Sequence, residues 1–148
     1  MNFTLHNDFS EIDSTTWNAL VEQSVSDTPF SRYEYLGEWW KTLGGGEWKN
    51  AQLVLVSATE NDHIIGIAPL FIHEYDGQQV LLLIGSVEIS DYLDLIVREA
   101  DLPRFISGLI DFLVSLDVRA GSPRPYRPHR LPASEIYHCG RVRQRWRG

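Results

Sequence analysis

The spacing of hydrophobic and polar residues changes from strand-like to helical and back along most of the chain. A weak alternation over Asn2–His6 predicts a short opening strand. A helix is predicted next, because Trp17, Leu20 and Val21 recur at three- and four-residue spacing, as one buried helix face requires. Ser14 precedes these residues and is expected to cap the helix.

The second predicted helix has clear signals at both ends. It is expected to begin at Ser31, with Glu34 three residues later in a capping-box pattern. Phe30 before the cap is expected to pack against Tyr35 as a hydrophobic staple. The apolar stripe continues with Leu36, Trp39, Trp40 and Leu43. Three glycines at 44–46 are expected to end the helix.

Four strand-like segments come next. They lie at residues 52–58, 63–73, 80–84 and 92–97. The first is rich in β-branched and apolar residues, which is typical of a strand buried on both faces. Pro69 cannot donate a backbone hydrogen bond, so it is expected at a sheet edge or a bulge. Turn-forming residues at 60–62 and 76–77 separate the first three segments.

A third helix is predicted from about residue 102 to 116, with Pro103 in its first turn. Its expected buried stripe consists of Phe105, Ile106, Leu109, Ile110, Leu113 and Leu116. The resulting order, β-α-α-β-β-β-β-α, predicts the α/β class in its layered α+β form. We expect a mixed, mostly antiparallel sheet flanked by helices.

The composition changes after Val118. Residues 1–118 carry 19 acidic and five basic side chains, a formal charge of −14, whereas residues 119–148 carry eight arginines and one glutamate, a formal charge of +7. Four of the seven prolines also fall in residues 119–148. The pattern predicts a domain at 1–118 and an Arg/Pro-rich tail at 119–148 that is disordered or derives from a shifted reading frame or a truncated gene.

A binding arm is the alternative interpretation of this tail. Its arginines alternate with aromatic rings that could stack on bases while the arginines contact phosphates: Tyr126, His129, Tyr137 and Trp146. Anionic lipid is a second candidate partner. The acidic body would repel polyanions, so nucleic acid is the less favoured partner.

Other features limit the class of protein. Cys139 is the only cysteine, which excludes an internal disulfide framework and a multi-cysteine metal site. No apolar run is long enough for a membrane-spanning helix, and the first residues lack a signal-peptide pattern. These features predict a cytoplasmic protein. His6 and His63 stand beside polar residues and are expected at the surface or in turns.

Four segments carry a resemblance to a known family: residues 28–40, 64–72, 81–97 and the helix ending at 116. Their most specific parts are Pro29-Phe30, Gly66 with Pro69-Leu70, and Ser90-Asp91-Tyr92 with Asp94. Together they resemble the tandem acetyltransferase-like group related to cellulose-biosynthesis CelD proteins and Fem-type aminoacyltransferases, within the GNAT superfamily. The order of elements also resembles the opening half of a GNAT fold.

The resemblance implies acyl transfer from acyl-CoA, such as acetyl-CoA, to the amine of a small molecule or a cell-envelope precursor. GNAT enzymes hold the pyrophosphate of CoA on an Arg/Gln-x-x-Gly-x-Gly/Ala loop that opens a helix. This spacing follows none of the predicted strands, and Gly85 stands alone. The chain is therefore expected to be an N-terminal half that binds no acyl-CoA and is inactive by itself. Its uncovered surfaces are expected to self-associate.

Asp91, Tyr92 and Asp94 are the candidate acceptor-binding residues. They could contact an amine or supply a general base at a sheet edge, and the alternative is a turn and strand-end cap. Trp39 with its neighbour Trp40 could line a substrate groove, although their helical spacing favours the core. The pattern assigns no catalytic residue and no metal ligand.

Three functions therefore stay open from the sequence. The first is an N-acyltransferase chain. The second is a non-catalytic binding or scaffolding domain with the same fold. The third is an Arg-tailed accessory protein of nucleic acid or membrane.

Overall fold

The computed structural model describes residues 1–43, 51–75, 78–85 and 93–119, and within them an antiparallel sheet lies between helices. The strands are β1 (Asn2–His6), β2 (Gln52–Glu60), β3 (His63–Tyr75), β4 (Gln78–Leu83) and β5 (Ile96–Val97). The helices are α1 (Ser14–Val21), α2 (Tyr33–Leu43) and α3 (Leu102–Arg119). The predicted order of elements and the α+β class with a mostly antiparallel sheet are confirmed. The expected turns at 44–46 and 76–77, and the tail from 120 on, lie outside the described residues.

Consecutive strands are neighbours in the sheet, in the order β1-β2-β3-β4, and β5 also pairs with β3. β1 joins by long-range pairing, with Thr4 opposite Ser57 on β2. The turn between β2 and β3 contains Asn61 and Asp62, whose φ angles are 51° and 62°. Two residues in the left-handed region suit a two-residue hairpin turn, so the turn predicted there is confirmed.

α1 and α2 cover one face of the sheet, and Trp17 of α1 is central to this layer. Trp17 is fully buried, and its Nε1 donates a hydrogen bond to the Ser31 carbonyl at 2.9 Å. Its ring centroid lies 5.5 Å from that of Phe9 and 5.7 Å from that of Tyr33. The same cluster reaches the sheet at Leu55, Ile67 and Phe71. Trp17 thus connects α1 both to the turn before α2 and to the sheet.

α3 covers the opposite face, where Phe105 and Leu109 are buried. The ring of Phe105 fills the space above Gly66 of β3, because a Cβ built on Gly66 would lie only 2.5 Å from Cδ2 of Phe105. Gly66 pairs with Ala58 on one side and Val97 on the other. At Gly66, β3 is therefore paired with a neighbouring strand on each edge, and the Phe105 ring packs on its face.

The cap of α1 differs from expectation. Asp13 is the N-cap, and its carboxylate accepts a hydrogen bond from the Thr16 backbone N at 2.8 Å. This hydrogen bond lowers the pKa of Asp13. Ser14, the predicted cap, is the first helical residue instead. Both residue types are good caps, and the carboxylate adds a favourable interaction with the helix dipole.

The predicted start of α2 is wrong. Ser31 lies in a 3-10 turn, Pro29–Ser31, and the α-helix begins at Tyr33. Glu34 does not complete a capping box, since its carboxylate accepts hydrogen bonds from Asn18 of α1 at 3.0 and 3.1 Å. The tertiary contact between the two helices therefore replaces the local one. The expected packing of Phe30 on Tyr35 is nevertheless present, with ring centroids 5.3 Å apart.

The predicted buried stripe of α3 is only partly right. Phe105 and Leu109 are buried, but Ile106 and Ile110 are exposed by 39% and 55%. Successive helical residues are rotated by about 100°, so the predicted stripe spans an arc of about 140°. One helix on a flat sheet buries a narrower arc, centred here on Phe105 and Leu109.

An ion-pair network joins the start of α3 to the end of β2. Arg104 donates hydrogen bonds to both carboxylate oxygens of Glu60, at 2.8 and 3.0 Å. It also donates to Asp101, and Arg98 donates to the other oxygen of Asp101 at 3.0 Å. The hydrogen bonds from Arg104 hold the pKa values of Asp101 and Glu60 below their ordinary values.

We expect this network to make stability fall in acid. Both folded pKa values are lowered, so the stabilisation is complete above the ordinary carboxyl pKa of about 4 and is lost as the pH falls below it. Urea unfolding between about pH 5 and pH 3 should show a decreasing free energy of unfolding, with a shallower slope in Arg104→Gln. Lys41→Gln removes an exposed charge elsewhere and should keep nearly the parent slope. An unchanged slope in Arg104→Gln would contradict this assignment.

Candidate functional site

The sheet edge formed by β4 and β5 is interrupted. β4 pairs with β3 as far as Leu83 opposite Leu70, and the Ile84 N donates to the Pro69 carbonyl at 2.8 Å. Continuing this register would place residue 86 opposite Ile67, but Ile96 occupies that place. The chain therefore stops pairing with β3 after Ile84 and pairs with it again at Ile96. We call the described residues at the two ends of this break, Gly85 and residues 93–95, the excursion. The fourth strand predicted at 92–97 is accordingly reduced to Ile96–Val97.

The interruption has two local causes. The carbonyl of Pro69 faces β4, so its nitrogen faces the same way and cannot donate a hydrogen bond back. Gly85 then turns the chain away with a φ of 131°, a conformation that other residues rarely adopt. A Cβ at Gly85 would lie 2.6 Å from Cδ2 of Leu93, so the two ends of the excursion pack together. The expectation of Pro69 at a sheet edge or a bulge is wrong: Pro69 lies in the central strand β3 opposite Leu55, and the register shift of this strand pair lies between Ala58 and Thr59 instead.

Asp94 lies at the returning end of this excursion and is half-buried. Its Oδ2 accepts a hydrogen bond from the Ser26 hydroxyl at 2.7 Å, and its Oδ1 accepts one from the Leu95 backbone N at 2.7 Å. The neighbouring Val25 N donates to the Val97 carbonyl at 3.1 Å. The segment after α1 is thus attached to Asp94 through a side chain and to β5 through the backbone.

The other predicted site residues are placed differently. Asp91 and Tyr92 lie outside the described residues. Trp39 is 6% exposed and packs on Phe71 of β3, with ring centroids 6.3 Å apart. The core position favoured for at least one of the two adjacent tryptophans is therefore confirmed.

Trp39 and Asp94 lie near different positions along β3. The partner of Trp39 is Phe71, whereas the excursion returns beside Ile67, about 13 Å away along the strand. The Nε1 of Trp39 is buried and has no hydrogen-bond partner within the described ranges. The structure therefore does not bring Trp39 beside Asp94.

Sequence reasoning missed a buried polar cluster under α1 and α2. His6 was expected at the surface, which is wrong: its Nε2 lies 2.8 Å from the Ser57 Oγ and its Nδ1 lies 3.3 Å from the Glu11 Oε2. The order carboxylate, imidazole, hydroxyl is that of a nucleophilic triad. Ser57 is only 2% exposed and packed inside the sheet, so its hydroxyl is closed to substrate. We therefore interpret this cluster as structural: its hydrogen bond between His6 and Ser57 holds β1 on β2.

The described helix starts do not suit the pyrophosphate of acyl-CoA. Asp13 places a carboxylate at the N-terminus of α1, and its lowered pKa keeps it charged. Glu99 and Asp101 form the acidic 3-10 turn that leads into α3, and Glu34 lies in the first turn of α2. Each of these groups would repel an anion where backbone N–H groups would otherwise attract it. The described helix starts therefore offer no favourable site for the pyrophosphate of CoA.

No family model, curated protein or solved structure matches this chain. Within the described residues, no helix has the length and apolar character needed to cross a bilayer. Over the same ranges, no group of three or more His, Cys, Asp or Glu side chains is arranged to hold a metal ion. The candidate site consists of the interrupted sheet edge and Asp94.

The hydrogen bond between Ser26 and Asp94 should contribute measurably to stability. Ser26→Ala is expected to lower the free energy of unfolding by about 1–1.5 kcal/mol, because a half-buried charged acceptor loses one donor. Ser107→Ala, an exposed serine on α3, is the matched control and should lose nothing. A double-mutant cycle with Asp94→Asn in urea unfolding should give a non-zero coupling energy. Strict additivity would mean that this contact is energetically unimportant.

Proposed function

We propose that this chain supplies the acceptor side of an N-acyltransferase of the GNAT type. The observation that supports the proposal most is the arrangement of elements: β1, two helices on one face, antiparallel β2 to β4, and α3 on the other face. This is the order in which the GNAT fold opens, as the family resemblance implies. The acceptor would be an amine of a small molecule or a cell-envelope precursor.

The interrupted edge is the part of this architecture suited to hold an acceptor. Chain segments that leave a rigid sheet commonly carry binding residues, and the two described ends of the excursion lie together because Leu93 packs against Gly85. Asp94 offers a carboxylate there, with lone pairs left beyond the two hydrogen bonds it accepts. A carboxylate can bind an ammonium group or accept its proton before the nitrogen attacks an acyl carbon. In the sequence, Asp91 and Tyr92 lie between Gly85 and Leu93.

Binding of small primary amines tests the acceptor assignment directly. Ethanolamine and glucosamine, with ethylene glycol and glucose as uncharged analogues, should be titrated while backbone NMR signals of residues 93–97 are followed. We expect shifts with the amines only, and at least about tenfold weaker binding in Asp94→Asn, because the ion pair is lost. Ser26→Ala keeps the carboxylate and serves as the matched control. Equal shifts with amines and analogues, or none, would contradict the proposal.

Acetyl-CoA calorimetry tests the donor side separately. We expect no saturable heat with this chain, because the described helix starts repel anions. Saturable binding, with acetylation of an added amine, would move the donor site onto this chain. That outcome would overturn the half-enzyme interpretation while keeping the acyltransferase class.

A non-catalytic binding domain is the second candidate, and one observation favours it. Both oxygens of Asp94 already accept hydrogen bonds from this chain, as in a structural strand-end cap. In that case Asp94→Asn would lower stability without altering amine binding.

A further inference from the structure

A surface cleft lies between α1 and the ends of β3 and β5, and it has a volume of about 300 Å³. This volume is at the lower end of the range for pockets that bind small molecules. One wall is a flank of α1 with Gln23 after it, and the other wall is formed by the start of β3 and by Arg98. We call this space the α1 cleft. Its polar lining residues are Thr15, Thr16, Gln23, His63 and Arg98.

The α1 cleft offers hydrogen-bond donors and positive charge. Arg98 donates its Nε–H to the Asp101 Oδ2 at 3.0 Å, and within the described ranges neither of its terminal NH₂ groups has a partner. His63 adds an imidazole N–H, and no Asp or Glu side chain is among the described lining residues. The two terminal NH₂ groups lie in one plane and can bind both oxygens of a carboxylate. Such binding uses side-chain donors and needs no helix start, so the acidic helix starts do not exclude it.

The α1 cleft and Asp94 lie on the same side of the sheet. Asp94 bonds to Ser26 in the segment after α1, and Arg98 faces α1 across the cleft. Ile96, midway between them in sequence, is buried in the cluster beneath α1 and α2. The Cα atoms of two residues four positions apart are separated by at most about 14 Å. A carboxylate and a guanidinium group are therefore presented on one face, within reach of a single small molecule.

We infer that the acceptor is a zwitterion, an amine that also carries a carboxylate, with its ammonium group on Asp94 and its carboxylate on Arg98 in the α1 cleft. The inference rests on the proposed function, which places the amine on Asp94. Val25 lies between the two charged groups, because it precedes Ser26 and its N–H donates to the Val97 carbonyl. Its side chain is 53% exposed and can pack on the aliphatic part of such an acceptor.

Binding of amines with and without a carboxylate tests the acceptor class. In titrations followed by backbone NMR, 6-aminohexanoate or 8-aminooctanoate should bind at least about tenfold more tightly than hexylamine, because the guanidinium adds two charge-assisted hydrogen bonds. The zwitterion should shift the signals of residues 93–97 and of Ala19 and Gln23 in the cleft wall. Hexylamine should shift only the signals of residues 93–97. Arg98→Gln should abolish the preference for the zwitterion and leave hexylamine binding nearly unchanged.

A second variant leaves the ion pair between Arg98 and Asp101 intact. Ala19 is exposed on the cleft wall, so Ala19→Glu adds a carboxylate that repels the zwitterion's own and should also abolish the preference. Ala19→Gln is the matched control of equal size and should keep it. Amine binding without a preference for the zwitterion, or a preference that survives both Arg98→Gln and Ala19→Glu, would overturn this inference and leave the proposed function standing. No response to any of the amines would overturn both.

Discussion

Trp17→Ala is expected to lower the free energy of unfolding by about 3–5 kcal/mol, the usual cost of truncating a large buried aromatic side chain. Trp17 is fully buried and fills the space between Phe9, Tyr33 and the sheet. It also satisfies the buried Ser31 carbonyl at 2.9 Å. A small domain is stable by about 5–15 kcal/mol, so the variant should lose between about a fifth and all of its free energy of unfolding.

Two further variants separate packing from hydrogen bonding at this position. Trp17→Phe keeps most of the ring but leaves the Ser31 carbonyl without its donor, which should cost about 1–3 kcal/mol. Trp40→Ala is the matched control, because Trp40 is only half-buried and should cost less than Trp17→Ala. Urea unfolding followed by circular dichroism gives all three values. A loss below about 1 kcal/mol in Trp17→Ala would contradict its place in the core.

Gly66→Ala is expected to be strongly destabilising although it adds only a methyl group. The new Cβ would lie 2.5 Å from two atoms of the Phe105 ring. Because β3 is paired on both sides and Phe105 is fully buried, relief requires the strand or the helix to move. We expect a loss of about 2–3 kcal/mol in urea unfolding, typical of an overpacked core.

A second glycine provides the control with opposite sign. A Cβ on Gly37 of α2 would lie 3.5 Å from Cδ1 of Phe9, which is an ordinary contact. Gly37→Ala should therefore stabilise the protein by about 0.5–1 kcal/mol through helix propensity. Phe105→Leu should rescue part of the loss in Gly66→Ala by making room. Equal effects of the two alanine substitutions would show that the Phe105 contact is not limiting.

Local periodicity was sufficient to predict the elements of the fold. The order of strands and helices and the limits of β1 depend on spacing within each segment, and the structure confirms them. Burial depends on what lies opposite a segment, which spacing does not reveal. The predicted stripe of α3 illustrates this: Ile106 and Ile110 have the right spacing, but the described structure places no element against them.

The candidate site was predictable in part. Asp94 was recognised from its position at the start of a strand, but its partner Ser26 is 68 residues away in sequence. The interruption of β4 accompanies a contact between Gly85 and Leu93, eight residues apart, that hydrophobic spacing does not reveal. His6 was misplaced for the same reason, since its partner Ser57 is 51 residues away. Side-chain pairing at such distances leaves no local signal in a single sequence.

The pairing of β1 with β2 has a consequence for synthesis on the ribosome. Asn2 pairs with Thr59 and His6 with Leu55, so the first strand has no partner until about fifty further residues have been added. At about 5–20 residues per second, this delay amounts to about 3–10 seconds. The hairpin of β2 and β3 contains both of its strands in one short segment, so it can pair as soon as it emerges during translation. β1, although made before β2, joins the sheet only after its partner strand exists.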